Sequence, residues 1–238
     1  MILAQTGYEL RTLLRNGEQL LLTLIIPVVL LTLFGATSLL DLGPGRRVDF
    51  LTPGILALAV MSTAFTGQAI GTGFERRYGV LKRLGATPLP RAGLIAAKTL
   101  TVLAVEALQA VVICAVALAL GWQPHGNPLA VAALILLGTA AFSGFGLLMA
   151  GTLRAEATLA AANLVYILLL AVGGVVFPLD DFPAGVRSAL ELLPIAALAD
   201  GLRQVLQHGA ALPGEPLLVL AVWAAAGLAL AARFFTWE

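Results

Sequence analysis

The sequence predicts an all-α integral membrane protein with about six transmembrane helices. Three observations lead there. The 238 residues are 60% hydrophobic and only 11% charged, against about 25% charged in an ordinary soluble domain. Apolar runs of roughly 20 residues, the length that crosses a ~30 Å hydrocarbon core, recur along the whole chain. Runs such as "LIIPVVLLTLF" do not alternate in polarity, so they suit helices and not the ~10-residue alternating strands of a barrel.

A first segment, residues 1–19, sets Leu10, Leu13, Leu14 and Gly17 on one helical face and Arg11, Arg15 and Glu18 on another. That is the pattern of a helix lying in the membrane plane, and it also suits a frayed, charged start to the first span. The spans follow at 20–40, 51–73, 94–121, 128–151, 157–177 and 216–235. Pro27 is expected to kink the first, because it removes a backbone donor and crowds the preceding turn. Glu9 and Glu18, with no basic stretch ahead of a short apolar core, give no sign of a removable leader. The lone Cys114 excludes an internal disulfide framework. It reads as a small buried hydrophobe. A net charge of +1 without a basic tail offers nothing to nucleic acid.

Orientation follows from Lys and Arg. With both termini cytoplasmic, the inner segments hold Arg11, Arg15, Arg76, Arg77, Lys82, Arg83, Arg91, Lys98, Arg154 and Arg233. The outer ones keep Arg46, Arg47, Arg187 and Arg203. The positive-inside rule selects this topology in a cytoplasmic membrane, with Arg46 and Arg47 as the exceptions.

"FERRYGVLKRLGATPLPR", residues 74–91, is therefore cytoplasmic and carries five cations. On a helical wheel Phe74, Tyr78, Leu81 and Leu84 fall on one side, and Glu75, Arg76, Gly79, Lys82 and Arg83 on the other, with Arg77 the misfit. Gly85 suits a helix end and Pro88 forbids continuation. Cationic loops hold topology and attract anionic lipid. An apolar stripe with an abrupt stop suits docking into a groove on a soluble partner better.

With Glu75, Gly79, Leu81, Leu84, Thr87, Pro88, Leu89 and Arg91 in place, this stretch resembles the cytoplasmic loop of type-2 ABC exporter permeases. Arg77 departs from that pattern, which often has Glu there. A second block, "GGVVFPLDDFPAGVRSALELLPIAALADGLRQVL", is similar to the family's external segment through Gly174, Phe177, Pro178, Pro183, Pro194, Leu202 and Arg203. The resemblance covers nearly the whole chain as one transmembrane domain, 1–238.

The resemblance implies a coupling helix at 74–91 that seats in a separate ATP-binding subunit. The contact residues would be Glu75, Arg76, Arg77, Gly79, Leu81, Lys82, Arg83, Leu84, Thr87, Pro88 and Arg91. It implies ATP and Mg on that partner, none in this chain, and two permease chains, identical or sibling, around the substrate route. The segment 178–215 would dip back from outside as short re-entrant helices. Its charges, Asp180, Asp181, Arg187, Glu191, Asp200 and Arg203, are too many for a lipid-facing span. Pro183 and Pro194 cut it into pieces too short to cross. A surface loop is the alternative.

No Gly-x-x-x-x-Gly-Lys-Ser/Thr loop exists here to cradle phosphates; "GPGRR" and "GTGFERR" lack the lysine and hydroxyl. An intramembrane Ser-His protease is disfavoured, because "FSGFG" has no Gly before it and His125 and His208 fall in external loops. Ser143, Gly144 and Gly146 read instead as a close-packing helix face. An ion-coupled carrier would show internal repeats and midplane charge pairs. The chain has one intraspan acid, Glu106, two turns beyond Lys98 on the same face. It reads as an interhelical tie, with cation contact or proton relay as alternatives. Gln68, Gln109 and Asn163 read as interhelical hydrogen-bond partners; Gln68, Glu106 and Asn163 are also the candidates for a substrate pathway. Trp122, Trp223 and Trp237 lie near span ends as interface anchors. The function expected is export of a hydrophobic or amphipathic, drug- or antibiotic-like cargo. The alternatives are lipid or glycan export by a permease of the same family, and an ion-coupled carrier or channel.

Overall fold

The computed structural model describes residues 2–15, 17, 21–37, 46–85, 91–176, 178–179 and 182–235. Those residues are all-helical where they are regular. Helix α1 is Ile2–Arg15 and α2 is Ile26–Ala36, entered through a π-helical turn at Leu21–Ile25. Then come α3 (Arg47–Val60), a π-helical stretch (Met61–Gly67) and α4 (Gln68–Arg77), together one continuous helix. After α5 (Val80–Gly85) follow α6 (Arg91–Ala119), α7 (Pro128–Thr152) and α8 (Ala155–Val172). Short α9 (Ala184–Glu191) and α10 (Pro194–Leu206) precede α11 (Gly214–Phe234).

Among the described residues five helices are long and apolar enough to cross a membrane: Arg47–Arg77, Ala96–Ala119, Pro128–Thr152, Ala155–Val172 and Gly214–Phe234. The expected first span appears as a shorter apolar helix, Thr23–Gly35. Pro27 falls in the first turn of α2, just past the π-helical turn. Its missing N–H thus lies where the helical register already changes.

The second span is longer than the apolar run suggests, because its polar ends stay helical through Asp49 and Arg77. It is also the centre of the bundle, with every residue from Leu51 to Met61 buried. Leu51, Ile55, Leu58 and Met61 are fully buried with Ile113, Leu134, Ile195 and Leu198. The small residues expected to let helices touch do so. A Cβ on Gly144 would lie 2.5 Å from the Gly227 carbonyl carbon of α11, and one on Gly146 2.9 Å from the Phe65 carbonyl oxygen.

The two ends of the central helix mark the two ends of the bundle. At one, Arg46 donates to the Gly121 carbonyl (2.8 Å), where α6 has just ended. The charge thus meets the negative pole of that helix. This gives an arginine that stood as an exception to the expected topology a structural partner. At the other, Arg76 donates to the carbonyls of Gly151 and Leu153 (both 2.5 Å) at the end of α7.

From the Arg46 end, Leu192, between α9 and α10, and Leu198 of α10 pack against the middle of α11 and α7. A Cβ on Gly138 would meet Leu198 of α10 at 2.8 Å, and Trp223 donates to the Leu192 carbonyl at 2.7 Å. At 1.5 Å per residue, Gly138 and Trp223 lie about 14–15 Å inside α7 and α11. Trp223 therefore sits mid-helix, and the expectation of a span-end anchor is corrected: its indole serves the Leu192 carbonyl between α9 and α10. The α10 chain then returns, and His125 donates to the Leu206 carbonyl (2.9 Å).

Candidate functional site

The charged stretch after the second span folds as two pieces rather than one helix. Gly79 adopts φ +69°, a left-handed conformation that favours glycine. It breaks the chain between α4 and α5, and the break turns the expected apolar stripe. Leu81 is buried inside the chain at 3% exposure, while Tyr78 stands out at 63%. Lys82 and Arg83 are exposed, and Arg83 donates to the Tyr78 carbonyl at 3.3 Å. The elbow thus offers an aromatic and two cations outward and anchors itself through Leu81.

Three neighbours of the elbow are tied inward. Glu75 accepts from Lys98 of α6 at 2.6 Å. Arg76 forks onto the end of α7 as described. Arg77 pairs with Glu156 of α8 and lies 5.8 Å from the Tyr78 ring centre. The side chains of Leu84 and Arg91 lie outside the described residues, as do Thr87 and Pro88.

Beside these ties, α1, α4 and α6 enclose a cleft of about 200 Å³. Its lining includes Glu9, Gln68, Glu75, Lys98 and Thr101. Lys98 lies 3.8 Å from Glu9, and Thr101 donates to Glu9 at 3.5 Å. Gln68 is buried, and its Oε1 has no hydrogen-bond partner among the described residues. The role of Glu9 escaped the sequence reading; its one legible signal was an acid on an amphipathic segment that also holds arginines.

Glu106 is not part of this cleft. Lys98, two turns before it on the same helix face, is engaged by Glu75 and Glu9 instead. Glu106 accepts from Thr139 of α7 at 2.6 Å, and its other oxygen is unpartnered among the described residues. Gln109 bridges helices as expected, accepting from Thr63 (3.0 Å) and donating to the Thr23 carbonyl (2.5 Å). Asn163 is exposed on α8, away from both groups.

At the other end Arg203 is 8% exposed and centres the return segment. It donates to the Gly174 (2.5 Å) and Val175 (3.1 Å) carbonyls beyond α8 and to Phe50 (3.3 Å), with its guanidinium 3.8 Å above the Phe50 ring. Pro194 opens α10 and is buried, Pro183 precedes α9, and Pro178 is half-buried; Phe177 lies outside the described residues.

Two comparisons bear on these features. The family model described as "ABC-2 type transporter" matches residues 2–206. The chain is also similar to the linearmycin resistance permease protein LnrN of Bacillus subtilis (strain 168), with 32% identity over 159 residues. That stretch is 66% of this chain but 41% of the relative, so the chain spans well under two thirds of that protein's length.

Proposed function

The chain belongs to the ABC-2 type transporter family, a multi-pass membrane subunit, and from that premise we propose that it is the permease of an ATP-driven exporter. ATP and Mg²⁺ bind a separate ATP-binding subunit, and two permease chains, identical or sibling, surround the route. The termini and the α4–α5 elbow face the cytoplasm, in keeping with the distribution of Lys and Arg. The first span is completed by α2, with α1 lying in the membrane plane. The reach of α9 and α10 to mid-bundle supports a re-entrant segment that caps the route from outside.

The elbow carries the reading. Its outward surface is Tyr78, Lys82 and Arg83, suited to an acid-rimmed groove on a soluble partner. Motion of the partner pushes α5, and buried Leu81 passes the push to the bundle. Arg76, Arg77 and Glu75 then carry it to α7, α8 and α6. Short fixed contacts between packed helices transmit displacement because cores resist compression. The cargo is hydrophobic or amphipathic; the name of the Bacillus relative, a linearmycin resistance permease, favours an antibiotic-like molecule over a lipid or glycan.

The test is co-expression with the cognate ATP-binding subunit. K82E/R83E is expected to abolish co-purification and substrate-stimulated ATP hydrolysis while the permease still inserts. A K82C variant on a C114A background, labelled by an impermeant maleimide from outside intact cells, sinks the topology. Transport without any ATPase sinks the mechanism.

A further inference from the structure

The cleft between α1, α4 and α6 has an unmet chemical demand. Two carboxylates, Glu9 and Glu75, face it against one ammonium, Lys98. Lys98 is drawn to Glu75 at 2.6 Å and stands off from Glu9 at 3.8 Å. Glu9 otherwise accepts from Gln5 at 2.9 Å and from Thr101 at the long distance of 3.5 Å. That leaves lone pairs of Glu9 unfilled, since a carboxylate accepts about four bonds. Independently, Gln68 is 92% buried, being 8% exposed. Gln68 lines the cleft, and its Oε1 is buried with no donor among the described residues. A buried amide oxygen without a donor is uncommon and signals a missing partner.

We propose that this cleft binds a primary ammonium group carried on an apolar tail. The group supplies N–H donors to Gln68 Oε1 and Glu9 and a positive charge to balance the two acids. An anion would meet those carboxylates and is rejected. At about 200 Å³ the cleft is smaller than the roughly 300–1,000 Å³ that takes a whole drug-sized ligand. It therefore receives a headgroup, with the tail left in the apolar phase. Two sources supply that chemistry, a free amphipathic amine and an aminophospholipid. The cleft's position beside the elbow makes it an inner loading site, and this one point rests on the permease reading.

The test uses the full chain in phosphatidylcholine nanodiscs without nucleotide or partner, with empty discs subtracted. Octylammonium is expected to bind saturably, octyltrimethylammonium about tenfold more weakly for want of N–H donors, and octyl sulfate not at all. Gln68→Leu is expected to weaken octylammonium about tenfold and Gln68→Glu to tighten it. Opposite shifts at one position cannot come from misfolding. Competition by added phosphatidylethanolamine assigns the site to a lipid headgroup; its absence assigns it to a free amine. No saturable binding, equal binding of octyl sulfate, or unchanged affinity in both Gln68 variants overturns the proposal. Because no ATPase is present, those failures leave the permease reading standing.

Discussion

Lys98 Nζ lies 2.6 Å from Glu75 Oε2, so a single ion pair joins α6 to the last turn of the central helix. The Lys98 side chain is 13% exposed and that of Glu75 31%. Breaking a fully buried pair costs about 3–5 kcal/mol; partial exposure reduces that to about 1–2 kcal/mol here. K98M and E75Q are each expected to lower stability by that amount, and the double variant by less than their sum. A thermal-unfolding double-mutant cycle in detergent checks it, and strict additivity refutes the pairing.

Arg76 presents a planar fork to two carbonyls at the end of α7. Lysine keeps the charge but cannot reach both oxygens with fixed geometry. R76K is thus expected to cost about 1–2 kcal/mol, one charged hydrogen bond, and to loosen the α7–α8 turn. Faster amide exchange around residues 149–156 is the readout.

These ties mark the limit of what sequence could show. The crossing helices were legible because apolar runs of ~20 residues have few other fates. The close-packing face of α7 was legible because Ser143, Gly144 and Gly146 are small, though not that Gly144 would meet α11 and Gly146 the 61–67 stretch. The elbow was only half legible. A helical wheel assumes unbroken geometry, and Gly79 breaks it, so Leu81 points in where the wheel set it beside Tyr78. Lys98 was expected near Glu106 by spacing along one helix, yet its partners come from α1 and α4. Periodicity reports the face a residue occupies, not the helix that will pack there.

Trp223 gives a test of the mid-bundle reach of the return segment. W223F keeps an aromatic ring where the indole meets Phe145 edge-on with centres 5.4 Å apart, and deletes the bond to Leu192. A loss of about 1 kcal/mol is expected, with exchange increased at residues 190–196. Unchanged exchange there contradicts the contact.

Gly144 and Gly185 form a matched pair of alanine substitutions. A Cβ at 144 would strike the backbone of α11, whereas one at 185 meets nothing within 4 Å. G144A is expected to destabilise by about 1–3 kcal/mol through overpacking, and G185A to be neutral or slightly stabilising. Equal melting temperatures would show that the helices do not touch there.

Glu106 holds Thr139 through a bond that an amide oxygen accepts equally well. E106Q is expected to keep stability within about 0.5 kcal/mol and to transport normally across a pH series. A pH-dependent loss would instead give this acid a proton or cation role.

The two arginines at the ends of the central helix each wait on chain that does not yet exist when they are made. Arg46 needs Gly121 and Arg76 needs Gly151, each 75 residues further along. At roughly 5–20 residues per second, several seconds of translation separate each guanidinium from its acceptor. The nascent second crossing therefore leaves the ribosome with both tips unsealed. Ribosome-stalled intermediates ending before residue 121 should leave it open to protease at both tips, and full protection there would refute this order of assembly.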